Sequence, residues 1–280
     1  MIKLGIFGDQ STNSELLEQV QLISETKLSG VYFSGNAHVP DGFSELSGPI
    51  ELMDISDALL ILNDKSISSD LTKLILRKSK HLYLKTIPNL DFRDIKELIG
   101  LEKEAGIVTF IYNRFNYLPV FDPFRNNYEK PLLINLRTCF ESDTIKPSHE
   151  MLLLVIALNR MVRSNFKKLE IFGLNKSGKQ VILNLRIEYD NGSVINLTVS
   201  HEKSPGYCEI FDQNGKSKFE FQEPLYLAYP QMNQEFIAIQ KFIQLIRNQG
   251  KKENSFDHLM NGVQIVHEIR EYLRFNGVDF

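Results

Sequence analysis

Residues 3–20 read KLGIFGDQSTNSELLEQV. The run KLGIFG is apolar and ends in glycine, as a buried strand does. The stretch from Glu15 to Glu25 carries Leu16, Val20 and Ile23 at helical spacing. A strand, a loop and a helix in this order open a dinucleotide-binding unit. The loop GDQSTN (8–13), however, has one glycine where the fingerprint has three. In that fingerprint the first glycine makes the turn, the second admits the pyrophosphate, and the third lets helix pack on strand. Gly8 keeps the first role, Gln10 takes the second position and Asn13 the third. Asp9 adds a carboxylate to the loop, and Thr12 with Glu15 fits a capping box. Two carboxylates near a diphosphate cost roughly 1–4 kcal/mol each. The start of the helix still offers free N–H groups to an anion. By itself the stretch is either an altered nucleotide loop or a plain strand–loop–helix.

The residues that follow repeat the alternation. SGVYFSG (29–35) is a second strand, and after a polar loop DALLILN (57–63) is a third, apolar throughout like a strand buried on both faces. A helix over SSDLTKLILRKS, a strand HLYLK, a helix FRDIKELIGLEKEAG and a strand IVTFIYN (107–113) complete the series. Alternating strands and helices predict right-handed βαβ units and a parallel sheet. Past the Pro- and Asn-containing stretch 115–130 the pattern changes. PLLINLRTCF (131–140) is a strand, SHEMLLLVIALNRMV a strongly apolar helix, and five strand-like runs follow, separated by NKSG, DNG and QNG. Asn-Gly supplies positive φ at low cost and signals hairpins. Helices over about 233–248 and 256–275 end the chain. The expected architecture is α/β: a Rossmann-like parallel domain over 1–118, then an α/β domain with a large, mostly antiparallel open sheet over 119–280.

Composition narrows the function classes. The formal net charge of −3 suggests no polyanion partner, and basic spots such as RKSK (77–80) suit a helix C-terminus. Cys139 and Cys208 stand far apart and form no metal or redox motif, and the histidines show no metal-ligand spacing. No apolar run approaches the roughly 18 residues of a membrane span. The first residues read as a strand rather than a signal segment, so a cytoplasmic protein that binds neither nucleic acid nor membrane is expected.

The order of these landmarks resembles the Gfo/Idh/MocA oxidoreductases through nearly the whole chain. KLGIFG sits at the first strand, SDALLILND resembles the family's Asp-Ala-Val-hydrophobic-Thr-Pro strand, and HLYLKTIPNL occupies its Glu-Lys-Pro segment. AGIVTFIYNRFNYLP resembles the strand ending in Arg-Phe-x-x-Pro, and SHEMLLLVIALN the His-led helix of the second domain. RIEYDNGSVINLTVS resembles the family's Asn-Gly hairpin, and EFIAIQKFIQLIRNQGK its late helix. The resemblance implies NAD or NADP as cofactor, a sugar, polyol or related hydroxyl compound as substrate, and a homo-oligomer built on the second sheet.

It also implies a set of site residues. Gly8, Asp9, Gln10, Ser34 and Asn63 fall at cofactor positions. Ser34 stands where an acid would bind the ribose, so NADP is no less expected than NAD. Asn63 and Asp64 replace Thr-Pro, and Ser68 replaces a later His. Lys85 matches the lysine that orients a substrate hydroxyl or carbonyl, although Leu84 and Thr86 replace its neighbours; a lysine snorkelling from a strand end is the other reading. The resemblance gives Arg114 a carboxylate or a sugar hydroxyl to bind; a structural ion pair is the alternative. His149 matches an acid–base histidine, a task that suits imidazole. Its usual carboxylate partners are replaced by Ile145 and Leu152, and a place in the first helical turn with Ser148 as cap is the other reading. Lys85, Arg114 and His149 favour an oxidoreductase. The altered cofactor positions imply weakened or lost NAD(P) binding, and with it a lapsed member that serves as a ligand-binding, regulatory or partner-subunit protein.

Overall fold

Five strands of the first part pair in parallel: β1 (Ile2–Gly8), β2 (Thr26–Phe33), β3 (Ala58–Ile61), β4 (His81–Leu84) and β5 (Thr109–Ile111). Their order is β2-β1-β3-β4-β5, so the winding reverses between β1 and β3, where open α/β sheets bind ligands. The helices are α1 (Ser14–Gln21), α2 (Pro49–Ile55), α3 (Ser69–Arg77) and α4 (Phe92–Ala105). The computed structural model describes residues 1–35, 39–65, 67–88, 90–121, 128–139, 149–176, 179–201, 205–221, 234–248 and 255–277. Two compact units result: Met1–Tyr112 with Gln231–Met260, and Asn113–Pro230 with Asn261–Phe280.

Local signals explain most boundaries. Asp91 and Asp94 form a reciprocal capping box at the start of α4, and Gly106 ends it in the left-handed region at φ 64°. The first helix is shorter than its periodicity predicts: it ends at Gln21, and Glu25 turns the chain at φ 65° into a β2 that starts at Thr26 rather than Ser29. Within the loop read as irregular, α2 forms behind Pro49 at a first-turn position, which suits proline's fixed φ.

The first unit also takes in α6 (Gln234–Arg247), which in chain order follows the second sheet. Phe242 of α6 is fully buried, its ring centroid 5.9 Å from Tyr83 of β4 and 6.4 Å from Phe110 of β5. Residues 231–260 therefore group with the N-terminal strands, not with the other residues of 119–280.

In the second unit β6 (Leu133–Cys139), β7 (Phe166–Lys176), β8 (Lys179–Tyr189), β9 (Val194–Ser200), β10 (Gly206–Asp212) and β11 (Gly215–Phe221) form one sheet. Its order is β11-β10-β6-β9-β8-β7, antiparallel except for the parallel β6–β9 pair. One face is apolar, with Leu183, Leu185, Ile187, Ile195, Leu197 and Val199 fully buried. Two helices belong with it, α5 (His149–Val162) and most of α7 (Ser255–Phe275). Tyr189 of β8 donates its hydroxyl to Asn159 of α5, and the Gly173 N–H of β7 donates to the Tyr272 hydroxyl of α7 at 3.1 Å. The Asn-Gly turns appear as read: Gly192 has φ 81° and Gly215 φ 142°. Among the described residues no helix is long and apolar enough to cross a membrane.

Because Phe242 is the aromatic anchor of α6, Phe242→Ala should lower unfolding stability by about 3–5 kcal/mol. The urea midpoint at constant slope reads this directly.

Candidate functional site

Three expected cofactor residues meet at the reversal point of the parallel sheet. Gly8 ends β1, Ser34 follows β2 and Asn63 follows β3. The Ser34 N–H donates to the Gly8 carbonyl at 2.9 Å, and Asn63 Nδ2 lies 3.4 Å from Ser34 Oγ. Asn63 is only 5% exposed, and its Oδ1 is buried without a hydrogen-bond partner among the described residues.

The loop after β1 is closed on itself. The Asp9 N–H donates to Thr12 Oγ1 at 3.0 Å, and the Thr12 N–H returns to the Asp9 carbonyl at 3.0 Å. The Asp9 carboxylate accepts the Ser11 N–H at 2.9 Å and the Ser11 hydroxyl. The capping box expected of Thr12 and Glu15 does not form. Asn13 caps α1 instead, its Oδ1 taking the Glu15 N–H at 2.8 Å, because Thr12 is committed to the preceding turn. A Cβ on Gly8 would stand 2.5 Å from the Phe33 ring and 2.7 Å from Thr12 Oγ1. The space beside this glycine is thus taken by the protein's own side chains. Amides that a diphosphate would use, those of Asp9, Ser11, Thr12 and Glu15, have internal acceptors. A dinucleotide diphosphate fits this loop poorly.

Lys85 follows β4 directly, and its N–H extends the ladder to the Ile61 carbonyl at 2.9 Å. Its ammonium lies 2.9 Å from Asp64 Oδ1 and 3.5 Å from Glu235 Oε2. The Lys85 and Glu235 side chains are 20% and 19% exposed, whereas Asp64 is 59% exposed. Thr86 donates its hydroxyl to the Asn63 carbonyl at 3.0 Å, and the Asp64 N–H lies 3.3 Å from Ser11 Oγ. The loops after β1, β3 and β4 are therefore tied together around the lysine. Leu84 brings no charge beside the lysine, but Asp64 and Glu235 supply two carboxylates.

Both members of the buried pair titrate above their ordinary values. For Lys85, burial pulls the pKa down, but the attraction of Glu235 and Asp64 outweighs it. For Glu235, burial raises the carboxyl more than Lys85 lowers it, and Asp64 adds repulsion. The two directions are compatible, since the lysine draws on two carboxylates while Glu235 has a share in one ammonium. Glu235 sits in the first turn of α6, where the helix dipole favours a negative charge.

The remaining predicted residues belong to the second unit. Arg114 opens a short 3-10 turn (Arg114–Tyr117) and pairs with Glu150, and its guanidinium lies 5.4 Å from the Phe115 ring centroid. The ion-pair alternative read from the sequence is present here. His149 begins α5, and the acid–base partner positions before it, like Ser148, lie outside the described residues. Burial lowers its imidazole pKa, Glu150 opposes this and Arg114 adds to it, while solvent contact moderates the effect. Ser68 caps α3 through the Leu71 N–H at 3.2 Å. Gln10 is exposed within the self-bonded loop.

No family model matches the chain, and no curated protein matches it. Solved structures do. UDP-N-acetylglucosamine 3-dehydrogenase GnnA from Acidithiobacillus ferrooxidans is similar with a TM-score of 0.73, over 96% of this chain and 97% of that one, at 13% identity. A probable dehydrogenase from Thermotoga maritima gives 0.73 over 98% and 97%, at 12% identity. GenD2 from gentamicin A biosynthesis, in complex with NAD, gives 0.68 over 98% and 95%, at 10% identity. The chain shares the fold of these proteins.

The charge arrangement around Lys85 has a measurable consequence. Asp64→Asn or Glu235→Gln should each lower the Lys85 pKa. With both carboxylates neutral, burial acts alone and should bring it below the ordinary lysine value. A pH titration of the 13C-methylated lysine by NMR, assigned with Lys85→Arg, checks the order.

Proposed function

We propose that the chain is a divergent relative of the Gfo/Idh/MocA oxidoreductases that acts on a hydroxyl group of a sugar, polyol or related compound. The observation that carries this reading is Lys85, an ammonium at the C-terminal edge of the parallel sheet, four-fifths buried between Asp64 and Glu235. An ammonium held charged in this way donates hydrogen bonds, and orients a hydroxyl or carbonyl rather than removing a proton. The resemblance gives His149 an acid–base role, and its depressed pKa favours the neutral imidazole. Bound NAD or NADP would supply the hydride acceptor. Gly8, Ser34 and Asn63 would line its place at the sheet edge, and Asp9 with the committed loop amides would weaken its diphosphate contacts. The fold shared with a UDP-N-acetylglucosamine 3-dehydrogenase and with an NAD-bound protein supports the same chemistry.

The self-bonded loop favours a second reading, a ligand-binding member that no longer uses a dinucleotide. A titration with NADH and NADPH, followed by nicotinamide fluorescence and thermal stability, separates the two. The oxidoreductase reading expects weak but saturable binding; none at about millimolar concentration, the weak end of specific affinity, leaves the second reading. Where binding is seen, Asp9→Gly should tighten it by about fivefold, the effect of removing a unit charge at ~1 kcal/mol. Gln10→Gly should leave it unchanged, since the amides around position 10 stay committed.

A homo-oligomer through the second sheet belongs to the same proposal. Phe172, Leu174 and Ile182 are 66%, 49% and 37% exposed, with Leu174 and Ile182 directly paired across β7 and β8. Such an apolar cluster suits a second copy. Leu174→Lys should lower the mass found by sedimentation, and an unchanged mass would place the interface elsewhere.

A further inference from the structure

We propose that Glu235 completes the Lys85 site as its positioning residue and as the hydrogen-bond acceptor for a neutral polyhydroxyl ligand. This rests on the reading of Lys85 as a ligand-facing residue, and it requires no dinucleotide.

The two oxygens of Glu235 have different surroundings. Oε2 faces the Lys85 ammonium at 3.5 Å, whereas Oε1 is buried and has no hydrogen-bond partner among the described residues. A buried acceptor left unpaired carries an uncompensated desolvation cost, larger when it is charged. A ligand donor at that oxygen would recover this cost. Asn63, joined to the same edge through Thr86 and Asp64, carries at Oδ1 a second buried acceptor unpaired among the described residues. Two spare acceptors call for a ligand rich in O–H donors.

Charge selects further. Asp64, Lys85 and Glu235 carry one positive and two negative formal charges, and the lysine is compensated by its two partners. An anionic ligand would find no free cation among these three residues and would face a surplus carboxylate. A neutral polyol meets no such penalty, and its hydroxyls serve both the acceptor at Glu235 and the donor at Lys85. Asp64 is a less suitable partner for this task. Its carboxylate is 59% exposed, so water competes for its oxygens. Glu235 comes from α6, which Phe242 anchors on β4 and β5, so its backbone is held by core packing.

The test is saturation-transfer NMR with myo-inositol, glucose and N-acetylglucosamine, without dinucleotide, at about 50 mM, well above the millimolar affinity of a ligand held by a few hydrogen bonds. Wild-type protein should bind at least one of these and should shift the 13C-methyl signal of Lys85 when it does. Gluconate, the carboxylate analogue of glucose, should bind more weakly than glucose. Glu235→Gln should weaken binding by about tenfold, one hydrogen bond to a charged group. Equal binding by Glu235→Gln and wild type, or no binding of any of the three sugars, would overturn the proposal. If Glu235→Gln does not fold, the Lys85 signal of the wild type and the glucose–gluconate preference still decide it. Failure of NADH to bind counts against the oxidoreductase reading and leaves this result standing.

Discussion

A parallel sheet has two apolar faces, and both must be covered. In this protein α1 to α4 do part of that work and α6, from late in the chain, does more. Phe242 lies against Tyr83 and Phe110, and by that contact a segment beyond residue 230 groups with strands formed before residue 112. The same contact fixes the first turn of α6, and with it Glu235. The site at Lys85 therefore depends on an aromatic contact that takes no part in its chemistry.

The loop after β1 shows how local hydrogen bonding changes what a fold can bind. Glycines in a nucleotide loop leave backbone N–H groups open for phosphate. Here Asp9, Thr12 and Asn13 place side-chain oxygens where those N–H groups point, and the loop satisfies itself. Phe33 and Thr12 occupy the space at Gly8. The strand order is one on which dinucleotide sites are built, while the loop after β1 is a capped turn with a carboxylate in it.

Charge at the neighbouring edge follows the same logic. Lys85 has the uncharged Leu84 beside it in the chain and two carboxylates in space, one exposed and one buried. The exposed one, Asp64, adds its charge with little desolvation. The buried one, Glu235, is the costlier partner, and the upward shift of its pKa reflects that cost.

The sequence by itself determined the strand–helix alternation, the hairpin turns and the place of Lys85 at a strand end. Each rests on neighbours in the chain: apolar periodicity, Asn-Gly backbone freedom, or the residue after a buried strand. It missed α2, whose seven residues show too little periodicity to stand out from a loop, and it placed the cap of α1 one residue early. Asp64 was legible only as a departure from a motif. Glu235 was not legible at all, because an acid in a helical first turn is common and nothing local ties it to a lysine 150 positions earlier. Only the tertiary structure decided that pairing, since burial on the sheet, and not sequence proximity, brings the carboxylate to the ammonium.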